Sequence, residues 1–302
     1  MDTFESRSAT STAYELAEGP IWDSRSMTLH WVDIPLGAVV RGRFAGDRIN
    51  EIDRTAFGET VGAVGLAVDG GLIVAAERGL ATIDHLGDIH RGPALLVDGV
   101  DSRMNDGACD PAGRFIVGSL ARGKRTDREV LLSAEPSGPV TVLRKDVSLS
   151  NGVAWAPDGR TIYHVDTLPG RIWAANYDCD SGNASSWRVL FSVTDGSPDG
   201  LVVDTEGMLW IAIWGAGEVR RYDSAGVLLA VVTVDTPFVS CPAFAGPNLD
   251  TLVITTARVG FTDSSVAPPL AGLLFVAHPG VSGLPENCWA GDSTRPQWAT
   301  VD

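Results

Sequence analysis

The chain has 302 residues, 44% of them hydrophobic, so it can bury a sizeable core in one or two domains. Lys and Arg total 23 against 38 Asp and Glu, which gives a formal net charge of −15. A surface this acidic repels phosphate groups, so we expect neither nucleic acid nor an anionic membrane as a partner.

The sequence also bears on location. No apolar run is long enough to cross a bilayer, and residues 1–8 lack the basic and apolar regions of a signal peptide. The four cysteines form no CxxC pair, which argues against zinc ribbons and thioredoxin-like chemistry. We therefore expect a cytoplasmic protein with free thiols, although one long-range disulfide stays open.

One pattern recurs six times along the chain: a marker residue, usually followed by glycine, opens a short apolar strand that ends in a turn. The openings are Glu18-Gly19, Val64-Gly65, Asp106-Gly107, Asn151-Gly152, Asp199-Gly200 and, in degenerate form, Cys241-Pro242. Successive openings are 46, 42, 45, 48 and 42 residues apart, which is the period of a four-stranded propeller blade. No stretch keeps an apolar period of 3.6 residues, so we expect almost no helix.

The repeats predict an all-β, six-bladed β-propeller with four-stranded blades, forming a single domain over residues 1–302. The sixth repeat supplies strands at 251–256 and 272–277 but no fourth strand. We predict that the N-terminal segment 10–16 supplies it and closes the ring, which removes an exposed sheet edge. The tail 285–302 is expected to pack as irregular chain.

The innermost strands of a propeller surround a central channel, so residues at one register of these strands form a ring. The ring predicted here is Glu18, Val64, Asp106, Asn151, Asp199 and Cys241. Crowded carboxylates repel one another unless a cation neutralises them or one is protonated. Oxygen ligands suit one hard divalent metal ion such as Ca²⁺, Mg²⁺ or Mn²⁺, with Zn²⁺ or Fe²⁺ also open. The alternative is that Asp-Gly and Asn-Gly are ordinary turn dipeptides.

Six motifs resemble a known family. They are Leu16-Ala17-Glu18-Gly19-Pro20-Ile21-Trp22, Arg103-Met104-Asn105-Asp106-Gly107, Asp110-Pro111-Ala112-Gly113-Arg114, Ser150-Asn151-Gly152-Val153-Ala154, Pro198-Asp199-Gly200 and Leu249-Asp250-Thr251-Leu252-Val253-Ile254-Thr255-Thr256-Ala257. From about Tyr14 to Phe275 the chain resembles the SMP-30/gluconolactonase (regucalcin-like) family. The resemblance implies a six-bladed propeller that holds one divalent metal in its channel and hydrolyses sugar lactones.

The resemblance also implies roles for residues of this sequence. The implied metal ligands are Glu18, Asn151 and Asp199, and the implied substrate-contacting residues are Arg103 and Asn105. Asp106 falls near the metal without being a usual ligand, and we group it with the substrate-binding residues. A general base, Asp199, would then activate the attacking water, and a metal-bound hydroxide is the alternative nucleophile.

One segment departs from the family. Many relatives carry an acidic residue just after the strand that matches Gly118-Ser119-Leu120, where it helps to hold substrate hydroxyls. Residues 121–125 instead read Ala-Arg-Gly-Lys-Arg. The basic loop 121–128 either steers an anionic substrate or carries solvated charges balanced by Asp127 and Glu129.

The expected function is therefore metal-dependent hydrolysis of a small-molecule sugar lactone by a monomer or a small homo-oligomer. Three other functions stay open. They are an organophosphate or other phosphotriester hydrolase on the same scaffold, a non-catalytic calcium-binding regulator, and an interaction propeller.

Overall fold

Short apolar strands separated by glycine-rich turns build the fold. The computed structural model describes residues 1–97, 100–123, 128–261 and 267–298. Within these ranges the chain contains no helix, and thus none that is long and apolar enough to cross a membrane. The absence of an apolar 3.6-residue period predicted this all-β structure.

The strands group into six blades that follow one another in chain order. The N-terminal strands are β1 (Asp2–Glu5) and β2 (Arg7–Ser8). Blade 1 contains β3 (Ala17–Asp23), β4 (Thr28–Asp33), β5 (Ala38–Ala45) and β6 (Arg48–Ala56). Blade 2 contains β7 (Ala63–Leu66), β8 (Leu72–Ala75), β9 (Gly79–Ile83) and β10 (Ile89–Ala94). Blade 3 contains β11 (Ser102–Cys109), β12 (Phe115–Ala121), β13 (Glu129–Ala134) and β14 (Val140–Val147).

The second half of the ring has the same organisation. Blade 4 contains β15 (Ser150–Trp155), β16 (Thr161–Asp166), β17 (Arg171–Asp178) and β18 (Asn183–Ser192). Blade 5 contains β19 (Ser197–Val203), β20 (Leu209–Trp214), β21 (Glu218–Tyr222) and β22 (Leu228–Thr233). Blade 6 contains β23 (Val239–Ala245), β24 (Thr251–Thr256) and β25 (Phe275–Ala277). The described chain is thus a six-bladed β-propeller, as predicted.

The N-terminus closes the ring. Strand β2 is the fourth strand of blade 6, with Arg7 opposite Val276 and Ser8 opposite Phe275. Strand β1 adds a fifth strand to blade 5, where it runs parallel to β22. Apart from β1 and β2, the strands of each blade lie in chain order from the channel outward, and each is antiparallel to its neighbour.

The closing strand lies earlier in the chain than we predicted. Residues 10–16 form no strand, and Leu16 makes an isolated bridge with Ala257. This segment instead carries the chain from the outer edge of blade 6 inward to β3. Its backbone is held on the way, since Tyr14 N donates a hydrogen bond to Gly272 O at 2.8 Å.

The hydrophobic core is divided among the blade interfaces. In the described part of the chain, six clusters of buried apolar residues each join two neighbouring blades. Trp31 of blade 1 is fully buried and meets Tyr14 edge-on, with 5.5 Å between ring centroids. Trp210 of blade 5 meets Phe244 of blade 6 in the same way at 6.0 Å. These tryptophans therefore pack blade against blade.

The C-terminal tail crosses the lower face of the propeller, which is the face where the innermost strands end. Gly283 forms a bridge with Asp204 and Trp289 forms one with Ala67, each just beyond the end of an inner strand. Residues 284–287 line a cavity of about 430 Å³ in the channel. The described part of the tail, which runs to residue 298, thus lines the lower end of the channel in irregular conformation, as predicted. All four cysteines are free.

Candidate functional site at the upper end of the channel

The ring positions coincide with irregularities of the inner strands. Pairing with the second strand of the blade shifts register between Glu18 and Ile21, Met104 and Gly107, Ser150 and Val153, Pro198 and Leu201, and Val239 and Pro242. Strand β7, which contains Val64, shows no such shift. A bulge re-aims the side chains at its position and is common beside functional sites. Asn151-Gly152 and Asp199-Gly200 thus lie within strands, and the turn-dipeptide interpretation is wrong for them.

At two ring positions glycine follows the ring residue because the inner strands approach one another closely. A Cβ atom on Gly152 would lie 2.4 Å from Leu201 Cβ and 2.5 Å from Leu201 N. A Cβ atom on Gly200 would lie 2.3 Å from Cys241 Sγ. Close-packed interiors do not accommodate contacts this short. At these two positions glycine therefore lets neighbouring inner strands converge around the channel.

Three buried carboxylates share this end of the channel. Glu18, Asp106 and Asp199 are exposed by only 6%, 8% and 7%. Burial raises the pKa of Glu18 and of Asp199 well above their usual values, and repulsion from the neighbouring carboxylates raises both further. Burial also raises the pKa of Asp106 to about 6. Arg103 opposes the pKa rise of Glu18 and Asp199, so it lies within electrostatic reach of both.

One carboxylate oxygen lacks a partner. Asp199 Oδ1 is buried and accepts no hydrogen bond from the described residues. By contrast, Glu18 Oε2 accepts from Gly19 N at 3.0 Å and Asp106 Oδ1 accepts from Gly107 N at 2.8 Å. A buried, unpaired carboxylate oxygen is costly unless a proton or a cation binds it. This oxygen therefore marks a place where a cation would be stabilising.

The donor atoms fit a hard divalent cation. The predicted ligands provide two carboxylates, from Glu18 and Asp199, and the amide oxygen of Asn151, and such oxygens are what Ca²⁺, Mg²⁺ and Mn²⁺ prefer. Over the described ranges, no three His, Cys, Asp or Glu side chains form a metal-binding group by themselves. The fit therefore depends on the Asn151 amide.

A chain of hydrogen bonds links the predicted substrate-binding residues to the predicted ligands. Arg103 Nη1 donates to Asn105 Oδ1 at 2.8 Å, and Asn105 Nδ2 donates to Asn151 Oδ1 at 3.0 Å. Asn151 Nδ2 donates to Thr167 Oγ1 at 2.9 Å. Thr167 Oγ1 in turn donates to Pro198 O at 2.8 Å. One directed network thus joins the inner strands of blades 3, 4 and 5.

All six sequence-predicted site residues lie at the upper end of the channel. Glu18 and Asp199 interact electrostatically with both Asp106 and Arg103. The hydrogen-bond network joins Arg103 to Asn105 and Asn151. Sequence reasoning missed Thr167. A comparison between repeats could have identified it. Val165-Asp166 in blade 4 is followed by Thr167, which carries a hydroxyl, whereas the matching Val32-Asp33 in blade 1 is followed by the apolar Ile34.

The basic loop is described only in part. Residues 124–127, which include the expected counter-charge Asp127, lie outside the described residues. Arg122 pairs with Glu77 of blade 2, with Nη2 at 2.6 Å from Oε1. Glu129, the other expected counter-charge, is buried and accepts hydrogen bonds from two serine hydroxyls. Within the described residues, Arg122 is therefore balanced by a cross-blade ion pair.

Comparison with known proteins identifies the family. A family model described as "SMP-30/Gluconolactonase/LRE-like region" matches residues 16–258. Regucalcin of Danio rerio is 31% identical over 284 residues, which cover 92% of this chain and 95% of that protein. The 6-deoxy-6-sulfogluconolactonase of Pseudomonas putida is 32% identical over 281 residues, which cover 91% of this chain and 95% of that protein. The crystal structure of regucalcin from Agrobacterium tumefaciens, described as a calcium-binding protein, matches with a TM-score of 0.88 at 30% identity, covering 96% of this chain and 99% of that one. This chain therefore belongs to the SMP-30/gluconolactonase/LRE-like family.

Proposed function

We propose that this chain hydrolyses sugar lactones with one divalent metal ion bound at the upper end of its channel. Asp199 Oδ1 carries the proposal, because it is a buried carboxylate oxygen without a partner among the described residues, beside two further buried carboxylates. The relatives support the substrate class and the cation. One of them is named as a sugar lactonase and another is described as calcium-binding.

Glu18, Asn151 and Asp199 are the residues that would hold the cation. Their oxygen atoms favour Ca²⁺, Mg²⁺ or Mn²⁺, with Zn²⁺ and Fe²⁺ as further candidates. When bound, the cation supplies Lewis-acid stabilisation of the charge that develops on the lactone carbonyl oxygen. Because a nearby positive charge lowers a carboxyl pKa, Glu18 and Asp199 are then ionised and able to act.

The chain's own groups handle the proton and the substrate. Asp199 accepts a proton from the attacking water, whose oxygen bonds to the carbonyl carbon. The ring C–O bond then breaks, and the proton passes to the leaving alkoxide, which becomes a hydroxyl of the sugar acid. Arg103 and Asn105 orient the lactone ring, and the 2.8 Å hydrogen bond between them holds the guanidinium in place. Asp106 provides a further acceptor for substrate hydroxyls.

The central test replaces the general base. Asp199→Asn keeps the shape of the side chain but removes its basicity, and Asp199→Ala removes the group altogether. In a pH-indicator assay over a panel of aldonolactones with added metal, both variants should lose about 10²–10⁴-fold in turnover while remaining folded. Asp250→Asn, at an exposed position, is the matched control and should retain activity. Retained lactonase activity in either Asp199 variant would refute the assignment.

The same assay separates the other candidate functions. Wild-type protein that binds calcium tightly yet turns over no aldonolactone would be a non-catalytic calcium-binding regulator. Preferential turnover of a phosphotriester would assign the chain to phosphotriester hydrolysis. Metal analysis of protein purified without added salts identifies the cation in each case.

A further inference from the structure

Thr167 occupies a position that no substrate or metal role accounts for, yet its hydroxyl touches two elements of the candidate site. Thr167 Oγ1 lies 2.9 Å from Asn151 Nδ2 on β15 and 2.8 Å from Pro198 O on β19. Pro198 directly precedes Asp199. A single hydroxyl thus connects one predicted metal ligand to the residue that precedes another, in a different blade.

The local fold of Thr167 does not require a hydroxyl. Thr167 begins a tight turn in which its N–H donates to Leu149 O at 3.0 Å and its carbonyl accepts from Gly170 N at 2.9 Å. Both bonds involve only backbone atoms. The side chain itself is half-buried and makes its hydrogen bonds outside the turn.

Blade 1 builds the same turn with an apolar residue. Ile34 N donates to Leu16 O at 3.0 Å, and Ile34 O accepts from Gly37 N at 3.1 Å. The aspartate before each turn has the same task, since Asp33 and Asp166 each accept hydrogen bonds from two backbone N–H groups. The hydroxyl at position 167 therefore serves the contacts with Asn151 and Pro198.

The direction of these bonds determines how the Asn151 amide is oriented. The Thr167 hydroxyl has one proton, and the carbonyl of Pro198 can only accept, so the hydroxyl must donate to it. The hydroxyl must then accept from Asn151, which requires the Nδ2 group of Asn151 to face Thr167. Asn151 Oδ1 is consequently turned the other way, toward Asn105, whose Nδ2 donates to it at 3.0 Å.

We propose that Thr167 is a positioning residue that keeps the amide oxygen of Asn151 turned toward the cation and sets the spacing between Asn151 and Asp199. This inference rests on the proposed metal-dependent function. Groups that orient metal ligands through hydrogen bonds commonly change metal affinity by about 10–100-fold when removed.

The test compares two substitutions in otherwise unaltered protein. Thr167→Val has nearly the same shape but cannot make either hydrogen bond, whereas Thr167→Ser retains the hydroxyl. Calorimetric titration of metal-free protein with Ca²⁺, Mg²⁺ and Mn²⁺ should show an affinity loss of about 10–100-fold for Thr167→Val. Thr167→Ser should stay within about threefold of wild type because its hydroxyl can make the same two bonds.

Two further measurements separate positioning from a general loss of stability. The melting temperature of metal-free Thr167→Val should remain within about 2–4 °C of wild type, since the turn is held by backbone bonds. Turnover by Thr167→Val should recover when the metal concentration is raised to saturation. A merely structural role predicts the opposite, a lower melting temperature in the metal-free protein with unchanged metal affinity.

The outcomes for Thr167 and for the proposed function are distinguishable. If wild-type protein binds metal and hydrolyses lactones while Thr167→Val binds metal equally well, only the positioning role is overturned. If wild-type protein binds no divalent cation, both the proposed function and the role of Thr167 are overturned.

Discussion

Asn105 Nδ2 lies 3.0 Å from Asn151 Oδ1 and donates a hydrogen bond to it across the interface between blades 3 and 4. The same amide donates to Ser150 O at 2.8 Å. A residue predicted to contact substrate therefore also holds a residue predicted to bind the cation. Substrate binding and cation binding should consequently be coupled through this side chain.

We expect Asn105→Ala to impair both processes, because it removes the hydrogen bonds that Asn105 donates to Asn151 Oδ1 and to Ser150 O. Cation affinity should fall about 10-fold or more, and kcat/KM should fall about 100-fold, as calorimetry and the lactonase assay would measure. Asn50→Ala, on the exposed side of β6, is the matched control. Reduced kcat/KM with wild-type cation affinity would contradict the coupling.

Gly152→Ala should destabilise the fold because the new methyl group would overlap Leu201 on the neighbouring inner strand. Overpacking of this kind costs about 1–3 kcal/mol or more in free energy of unfolding, measurable by urea denaturation. Gly70→Ala is the comparison, since its methyl group meets open space and only the φ of +91° is unfavourable. That strain costs about 1–2 kcal/mol. Smaller destabilisation by Gly152→Ala than by Gly70→Ala would argue against steric convergence of the inner strands.

Removal of residues 1–8 should open the ring, because it deletes β1 and β2 and leaves the outer edges of β22 and β25 unpaired. Unpaired edges invite association between molecules. We expect a lower melting temperature and a larger species in size-exclusion chromatography. Removal of residues 1–5 is the control, since it deletes β1 and keeps the closing strand β2. If both truncations behave alike, β2 is not what closes the ring.

Glu286 should make stability depend on pH. It enters the channel cavity from the C-terminal tail, and burial raises its pKa to about 7. The unfolded chain has a glutamate pKa near 4.3, so the folded protein holds a proton that the unfolded chain releases. The resulting stabilisation is complete below about pH 4 and is lost as the pH rises through about 7.

Glu286→Gln stays neutral at every pH and should remove this dependence. Its free energy of unfolding should match that of wild type near pH 4 and exceed it by about 1–3 kcal/mol at pH 8. The neighbouring thiols of Cys109 and Cys288 stay neutral in this range because burial raises their pKa. Glu5→Gln, at an exposed position, should show the wild-type pH profile. If the free energy of unfolding of Glu286→Gln varied with pH in the same way as that of wild type, Glu286 would be solvated in the folded protein.

Architecture and ring could be predicted because they rest on local patterns. Residue–glycine pairs recur every 42–48 residues. The alternation of apolar and polar residues in strands and the turn dipeptides between them can be recognised without knowing which distant residues are in contact. Counting repeats was enough to predict that Glu18 and Asp199 lie near each other in the channel, and burial together with repulsion from Asp199 raises the pKa of Glu18 in the folded chain. The same local patterns left the turn dipeptide open as an alternative for Asn151-Gly152, because a bulge inside a strand uses the same residues as a turn.

By itself, then, the sequence determined the six blades, their order and the polar ring, since each depends on a period that the chain repeats. Only the tertiary structure decided that Arg7–Ser8 closes the ring, because a two-residue strand has no period and pairs wherever the edge of β25 lies. It alone placed Glu286 in the channel and the Thr167 hydroxyl between two blades. Such contacts join segments that no local pattern relates, and they exist only once the whole ring has packed.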